Sequence, residues 1–207
     1  MMKTRIAAAL LTFALGAAVS PSALAFGDPA DPNWPCQQRK VPQLSLGSVW
    51  TGPDIEPYRA SWRDDRAVRD LVALLAARRT PYDEAQAAID AFAESAGETR
   101  PEKMVELFTG LYVTLDTERS DVMGGIDRFA RKQRQMADEL RRRTAEIDKM
   151  REAADADMMK INEAYDELNF ETRIFSERQQ SLTFVCEVPV LIEQRAYKLG
   201  QMISAKL

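Results

Sequence analysis

Between Gly125 and Pro189 the chain contains neither glycine nor proline, the two residues that most readily interrupt a helix. A walk of three- and four-residue steps through this window starts at Ile126. It then meets Phe129, Gln133, Met136, Leu140, Arg143, Ile147, Met150, Ala154, Met158, Ile161, Tyr165, Leu168, Thr172, Phe175, Gln179 and Leu182, and thirteen of the seventeen positions are apolar. That spacing places them on one face of a helix. A continuous helix over 126–182 would be about 85 Å long, far beyond the width of a small domain, so its stripe needs a partner along its whole length. The two successive four-residue steps at Ala154 and Met158 read as a stutter that relaxes supercoiling. The expectation is a long coiled-coil helix over 120–185; the alternative is two helices broken near Asn169 and packed in a globular bundle. Its self-association seam would run through Phe129, Met136, Leu140, Ile147, Met150, Met158, Ile161, Tyr165, Leu168 and Phe175.

Charge along that helix is split. Residues 127–151 hold nine bases and five acids, for +4, whereas residues 152–177 hold eight acids and two bases, for −6. Two copies laid antiparallel about Arg151–Ala154 would set basic halves against acidic halves, while a parallel pair would align like charges. An antiparallel homodimer is therefore expected, with an envelope protein as the other candidate partner.

The segments before and after this window also read as helices. Ser61 is placed to cap a helix carrying Val68, Leu71, Val72 and Leu75 on one face, ending near Arg79. Thr80-Pro81 opens a second, with Tyr82, Ala85, Ile89 and Phe92 as its stripe and Gly97 as its stop. A third begins at Thr99 and carries Met104, Phe108, Leu111 and Leu115. Pro189 is expected to end the long helix and start a last one, with Ile192, Ala196, Leu199 and Ile203 on its face. The fold class is all-α. Residues 61–119 form a set of three short helices, 120–185 the long helix and 186–207 a C-terminal helix, preceded by an extended arm over 26–60.

Six prolines between Phe26 and Pro57 exclude regular helix from that arm. Trp34, Trp50 and Trp62 lie in it or just after it, and side chains with that much apolar surface are read as anchors to the helical body. Val41–Trp50 alternates loosely and allows one short strand.

Residues 1–25 have the three parts of a cleavable export signal: Lys3 and Arg5, an apolar run from Ile6 to Val19, and small residues ending at Ala25. Cleavage is expected after Ala25. The run of about 14 residues is shorter than the roughly 20 that span a bilayer, and the mature chain offers no other transmembrane segment. Cys36 and Cys186 are the two cysteines. In an oxidising compartment, spaced as neither a CxxC pair nor a metal cluster, they are expected to bridge.

Composition narrows the chemistry. The chain has no histidine, which removes the commonest general base and metal ligand. Loss of Lys3 and Arg5 leaves 26 bases against 32 acids, a net −6, which disfavours nucleic acid. The acid pairs at helical spacing lie on charged helix faces, and most mature methionines fall on or beside core stripes, so no catalytic residue, metal or cofactor is expected. The reading is a non-enzymatic periplasmic coiled-coil protein, acting as scaffold, adaptor or accessory subunit of an envelope complex. The alternatives are a periplasmic holdase-type chaperone gripping unfolded clients, and an all-helical hydrolase that would need a pocketed carboxylate with a raised pKa.

Overall fold

The computed structural model describes residue 31 and residues 33–207. The expected signal segment, residues 1–25, lies outside the described residues, as do 26–30 and 32. Five α-helices follow in order: α1 (Leu46–Val49), α2 (Arg66–Ala76), α3 (Tyr82–Ser95), α4 (Arg100–Glu152) and α5 (Met158–Ser204). No β-strand occurs among the described residues. The class is all-α, with short helices packed against a long helix and a C-terminal helix behind a Pro/Trp-rich arm.

The two long helices lie antiparallel as a hairpin. Their lower halves, with α1 to α3 and the arm, make a base with one apolar core. Val68, Leu75, Ile89, Met104, Leu107, Phe108, Leu111, Leu115, Ile192, Leu199 and Ile203 are fully enclosed there. The apolar spacings in α2 and α3 place their stripes on this core as the sequence implies. Asp65, rather than Ser61, caps α2: its carboxylate accepts from the backbone N–H of Ala67 at 2.8 Å and of Val68 at 3.2 Å. Lys103 on α4 donates to the same carboxylate at 2.6 Å, and this hydrogen bond holds Asp65 below the usual carboxylate range.

Several expected boundaries move. The third short helix does not stop near residue 119 but continues into the long one as α4, through Gly110, Gly124 and Gly125. Gly110 is required by packing rather than by a turn: a Cβ there would fall 2.6 Å from the Trp62 ring. The long helix itself is interrupted at 153–157, so 126–182 is two antiparallel half-helices instead of one rod. Asp157 accepts from the backbone N–H of Met159 at 3.0 Å, restarting the chain as α5. Asn169, the breakpoint of the alternative reading, lies inside α5. The position read as a stutter is the place where the chain turns.

Pro189, expected to end the long helix, lies buried inside α5. Interior proline costs about 3 kcal/mol through its missing N–H and ring clash. Downstream, Ile192, Leu199 and Ile203 are each completely buried, and such side chains contribute about 1.5–3 kcal/mol apiece. Their burial, on a helix whose upstream half is tied to α4, outweighs the local penalty. Cys186 accordingly sits mid-helix and not at an elbow.

The short strand allowed at Val41–Trp50 is not formed; α1 occupies the middle of that stretch. Trp34, Trp50 and Trp62 are all buried, at 1%, 6% and 5% exposure, and Trp50 stacks on Phe108 with ring centroids 3.9 Å apart. α1 lies on α5 at Gly200, where a Cβ would come within 2.3 Å of the Val49 carbonyl oxygen. Backbone cannot yield as a flexible side chain does. Gly200→Ala is expected to push α1 off α5 and cost about 1–3 kcal/mol, seen as a lower urea midpoint at unchanged slope. An unshifted midpoint would show that α1 moves freely.

Candidate functional site: a two-helix stalk and an outward apolar face

Beyond the base the hairpin continues alone. Arg134 still donates to the Asn33 carbonyl of the arm at 3.0 Å; from Gln135 to Glu152 α4 has only α5 beside it, a stalk of about 27 Å. At its outer end Ile147, Ile161 and Leu168 are buried together, with Leu140, Met150, Ala164 and Tyr165 half-buried around them. Phe129, Met136 and Phe175 are half-buried lower down. Nine of the ten seam residues thus meet within one chain. Met158 does not; it stands at the tip, 61% exposed, beside Met159 at 83%.

Polar side chains cross the same seam. Gln133 Nε2 donates to the Phe175 carbonyl at 3.3 Å. Arg143 reaches across to Glu167 at 3.0 Å and Glu171 at 3.3 Å, and along its own helix to Glu139 at 3.1 Å. Its bonds to Glu167 and Glu139 push the guanidinium further up than usual. Bonds from Arg142, then Arg143, hold the Glu139 carboxyl down. Basic half meets acidic half in the orientation expected of two chains, but both halves belong to one. The seam is therefore already covered.

The stalk is tied to the arm at its foot. The Cys36 and Cys186 sulfurs are bonded, with their Cα atoms 5.5 Å apart. Trp34, Met123 and Ile126 enclose the bridge. Trp34 Nε1 donates to the Gln38 carbonyl at 2.8 Å, and the Gln38 amide donates to the Cys186 carbonyl. Lys40 bridges Asp31 and Asp127, both at 2.8 Å. Further along, Arg119 donates to the Val41 carbonyl at 2.6 Å, and Leu44 N–H to Asp116 at 2.7 Å. These contacts lash the part of the arm that precedes α1 to both long helices.

The remaining surface feature lies on the side of α5 turned away from α4. Phe170, Phe184, Val190, Leu191 and Tyr197 are exposed there, Phe184 at 73% and Tyr197 at 52%. Val190 and Tyr197 also line a shallow groove with Ser48 and Val49 of α1. No family model, curated protein or solved structure matches the chain. The site therefore rests on its own geometry.

Sequence reasoning passed over this outward face because it followed a single stripe. The signal is present: Phe170, Phe184 and Leu191 recur at multiples of seven, as do Val190 and Tyr197, so the outward side of α5 carries two narrow apolar rows, one on each flank. Buried Arg119 and Arg195 were also missed, because a basic residue in a helix reads as solvent-facing by default.

Among the described residues no group of three or more acids or cysteines is arranged to hold a metal ion, and no helix is long and apolar enough to cross a membrane. The hydrolase alternative calls for an acid raised by burial. The carboxyls that are displaced, Asp31, Asp65, Asp90 and Glu139, all go down, each chiefly through a basic neighbour.

Proposed function

We propose that this chain is a non-enzymatic helical scaffold of the periplasm, exported through residues 1–25 and serving as adaptor or accessory subunit of an envelope complex. The observation that carries this reading is the stalk. Two helices extend about 27 Å past the base and arm with no third layer on them, and end in the exposed pair Met158 and Met159. The disulfide is consistent with an oxidising compartment. Methionine at an exposed tip supplies a flexible apolar contact for a protein partner.

Photo-cross-linking in the producing cell tests this. Benzoylphenylalanine replacing Met159 is expected to give one discrete adduct with an envelope protein, lost when Met158 is changed to Asp, on a chain whose intact mass begins at Phe26. Labelling no stronger or more selective than from exposed Asp70 on α2, or a retained residue 1, would overturn the proposal. The exposed Met158, Met159 and Phe170 on a projecting stalk also favour the holdase reading as a second possibility. That reading predicts suppressed aggregation of an unfolded outer-membrane protein at stoichiometric amounts, and no effect at excess would remove it.

A further inference from the structure

The outward face of α5 at the level of the base is a second surface, separate from the stalk. The geometry points to a second copy of this chain as its occupant, packed antiparallel through α5 about a two-fold axis between Val190 and Leu191. This goes beyond the scaffold reading and holds whether or not the stalk tip takes a partner.

The first support is the pattern of exposed residues. Thr183 and Phe184, Glu187, Val190 and Leu191, Gln194, Tyr197 and Lys198 follow one another at three- and four-residue steps on the side of α5 opposite its buried residues. They form five layers centred on the two aliphatic residues. An isologous pair needs a patch that complements itself when reversed. Reversal about Val190 and Leu191 sets Leu191 against Leu191 on one flank and Val190 against Val190 on the other. It brings Phe184 against the aliphatic stem of Lys198 from the second copy, whose ammonium lies 4.4 Å from the centre of its own Tyr82 ring, and Tyr197 against Thr183.

The second support is charge. In the reversed arrangement Glu187 meets the neutral Gln194 and lies one turn from Lys198 of the second copy. A parallel arrangement would oppose Glu187 to Glu187 and Lys198 to Lys198, an unfavourable pairing at a closed interface. The exposed fractions of Phe184, Val190, Leu191 and Tyr197 come to on the order of 400 Å² of apolar surface per copy, using about 200 Å² for a large aromatic. Interfaces are roughly 60% apolar by area, so the whole patch approaches the roughly 800 Å² per partner of a standard-size contact.

The consequence is a two-ended particle. Antiparallel α5 helices send the two stalks in opposite directions, and residue 159 lies about 32 residues from the axis, so the two tips stand about 95 Å apart at 1.5 Å per residue. Such a dimer could hold two copies of a tip partner at a set distance.

Light scattering behind size exclusion on the oxidised mature chain tests the proposal. The expected mass is twice that of the chain. Leu191→Asp and Phe184→Asp, both at exposed positions and checked for unchanged helicity by circular dichroism, should each halve it, while Met159→Asp at the tip should leave it doubled. Dye-labelled tips should show no energy transfer within the dimer, as the long separation requires. A monomeric wild-type chain at the highest attainable concentration would overturn the inference. So would a dimer that survives Leu191→Asp combined with Phe184→Asp, or efficient transfer between tips. Loss of tip cross-linking in an intact dimer would count against the scaffold reading alone.

Discussion

Replacing Cys36 and Cys186 by serine, or reducing the bridge, should lower unfolding stability by about 4–5 kcal/mol, the chain-entropy value for a closed loop of this size. The separation is 150 residues, so the bridge constrains nearly the whole mature chain in its unfolded state. The folded-state consequences should be local. Without the bond, the segment carrying Trp34 and Lys40 is held by the Trp34 pocket and the Asp31–Lys40–Asp127 pairs, and partly exposed ion pairs contribute little. Trp50, Ile55 and Trp62 belong to the base core and should stay in place. Chemical denaturation with and without reductant measures the first effect, and limited trypsin cleavage at Arg39 and Lys40 the second. A stability change below about 1 kcal/mol would mean that the unfolded chain is already restricted where the model takes it to be free.

The second large effect is expected at Arg195. Its guanidinium, 5% exposed, donates to the Leu75 carbonyl at 2.7 Å and the Thr80 carbonyl at 3.1 Å, and lies 5.3 Å from the centre of the Tyr82 ring. Leu75 is in the last turn of α2, where carbonyls have no intrahelical donor and a nearby cation is favoured by the helix dipole. One side chain of α5 therefore closes the end of α2 and the link into α3. Arg195→Ala removes it and leaves two buried acceptors without partners, at about 3 kcal/mol in total. Arg195→Lys keeps the charge but not the fork, and should recover only part of that loss. Arg173, exposed on the stalk beside Glu177, is the control: its alanine variant should stay within about 0.5 kcal/mol of wild type. A loss at Arg195 no larger than that would show the α2 end to be solvated.

Most of the helical body was legible from apolar spacing. The stripes of α2 and α3, the core positions Met104 to Leu115 and the seam from Leu140 to Leu168, Met158 at the turn excepted, are buried or half-buried as the 3–4 pattern requires. Helix ends were less legible. Helix α4 begins where Thr99 and Pro101 mark a start, with the Thr99 hydroxyl donating back to the Ala96 carbonyl instead of capping, and no stop signal marks residue 119, since Gly124 and Gly125 are tolerated inside the helix. At Pro189 the local rule predicts a stop, and packing of Ile192, Leu199 and Ile203 overrides it. The outward rows, Phe184 with Leu191 and Val190 with Tyr197, were overlooked because a helix with one strong stripe hides weaker ones on its other side.

By itself the sequence determined that most of 126–182 is helical, that its apolar stripe must be covered, and that basic and acidic halves attract only when antiparallel. It also determined that Cys36, Trp34, Trp50 and Trp62 bind the arm to the body. Only the tertiary structure decided which chain supplies the cover. Periodicity states that a face has to be buried, but it carries no address for the partner. A five-residue turn at 153–157, closed at small entropic cost, holds the second half of the stripe beside the first at an effective concentration in the millimolar range or above. A separate molecule has to find the same stripe by diffusion. Intramolecular pairing therefore takes the seam, and what is left over for any other protein is the stalk tip and the far side of α5.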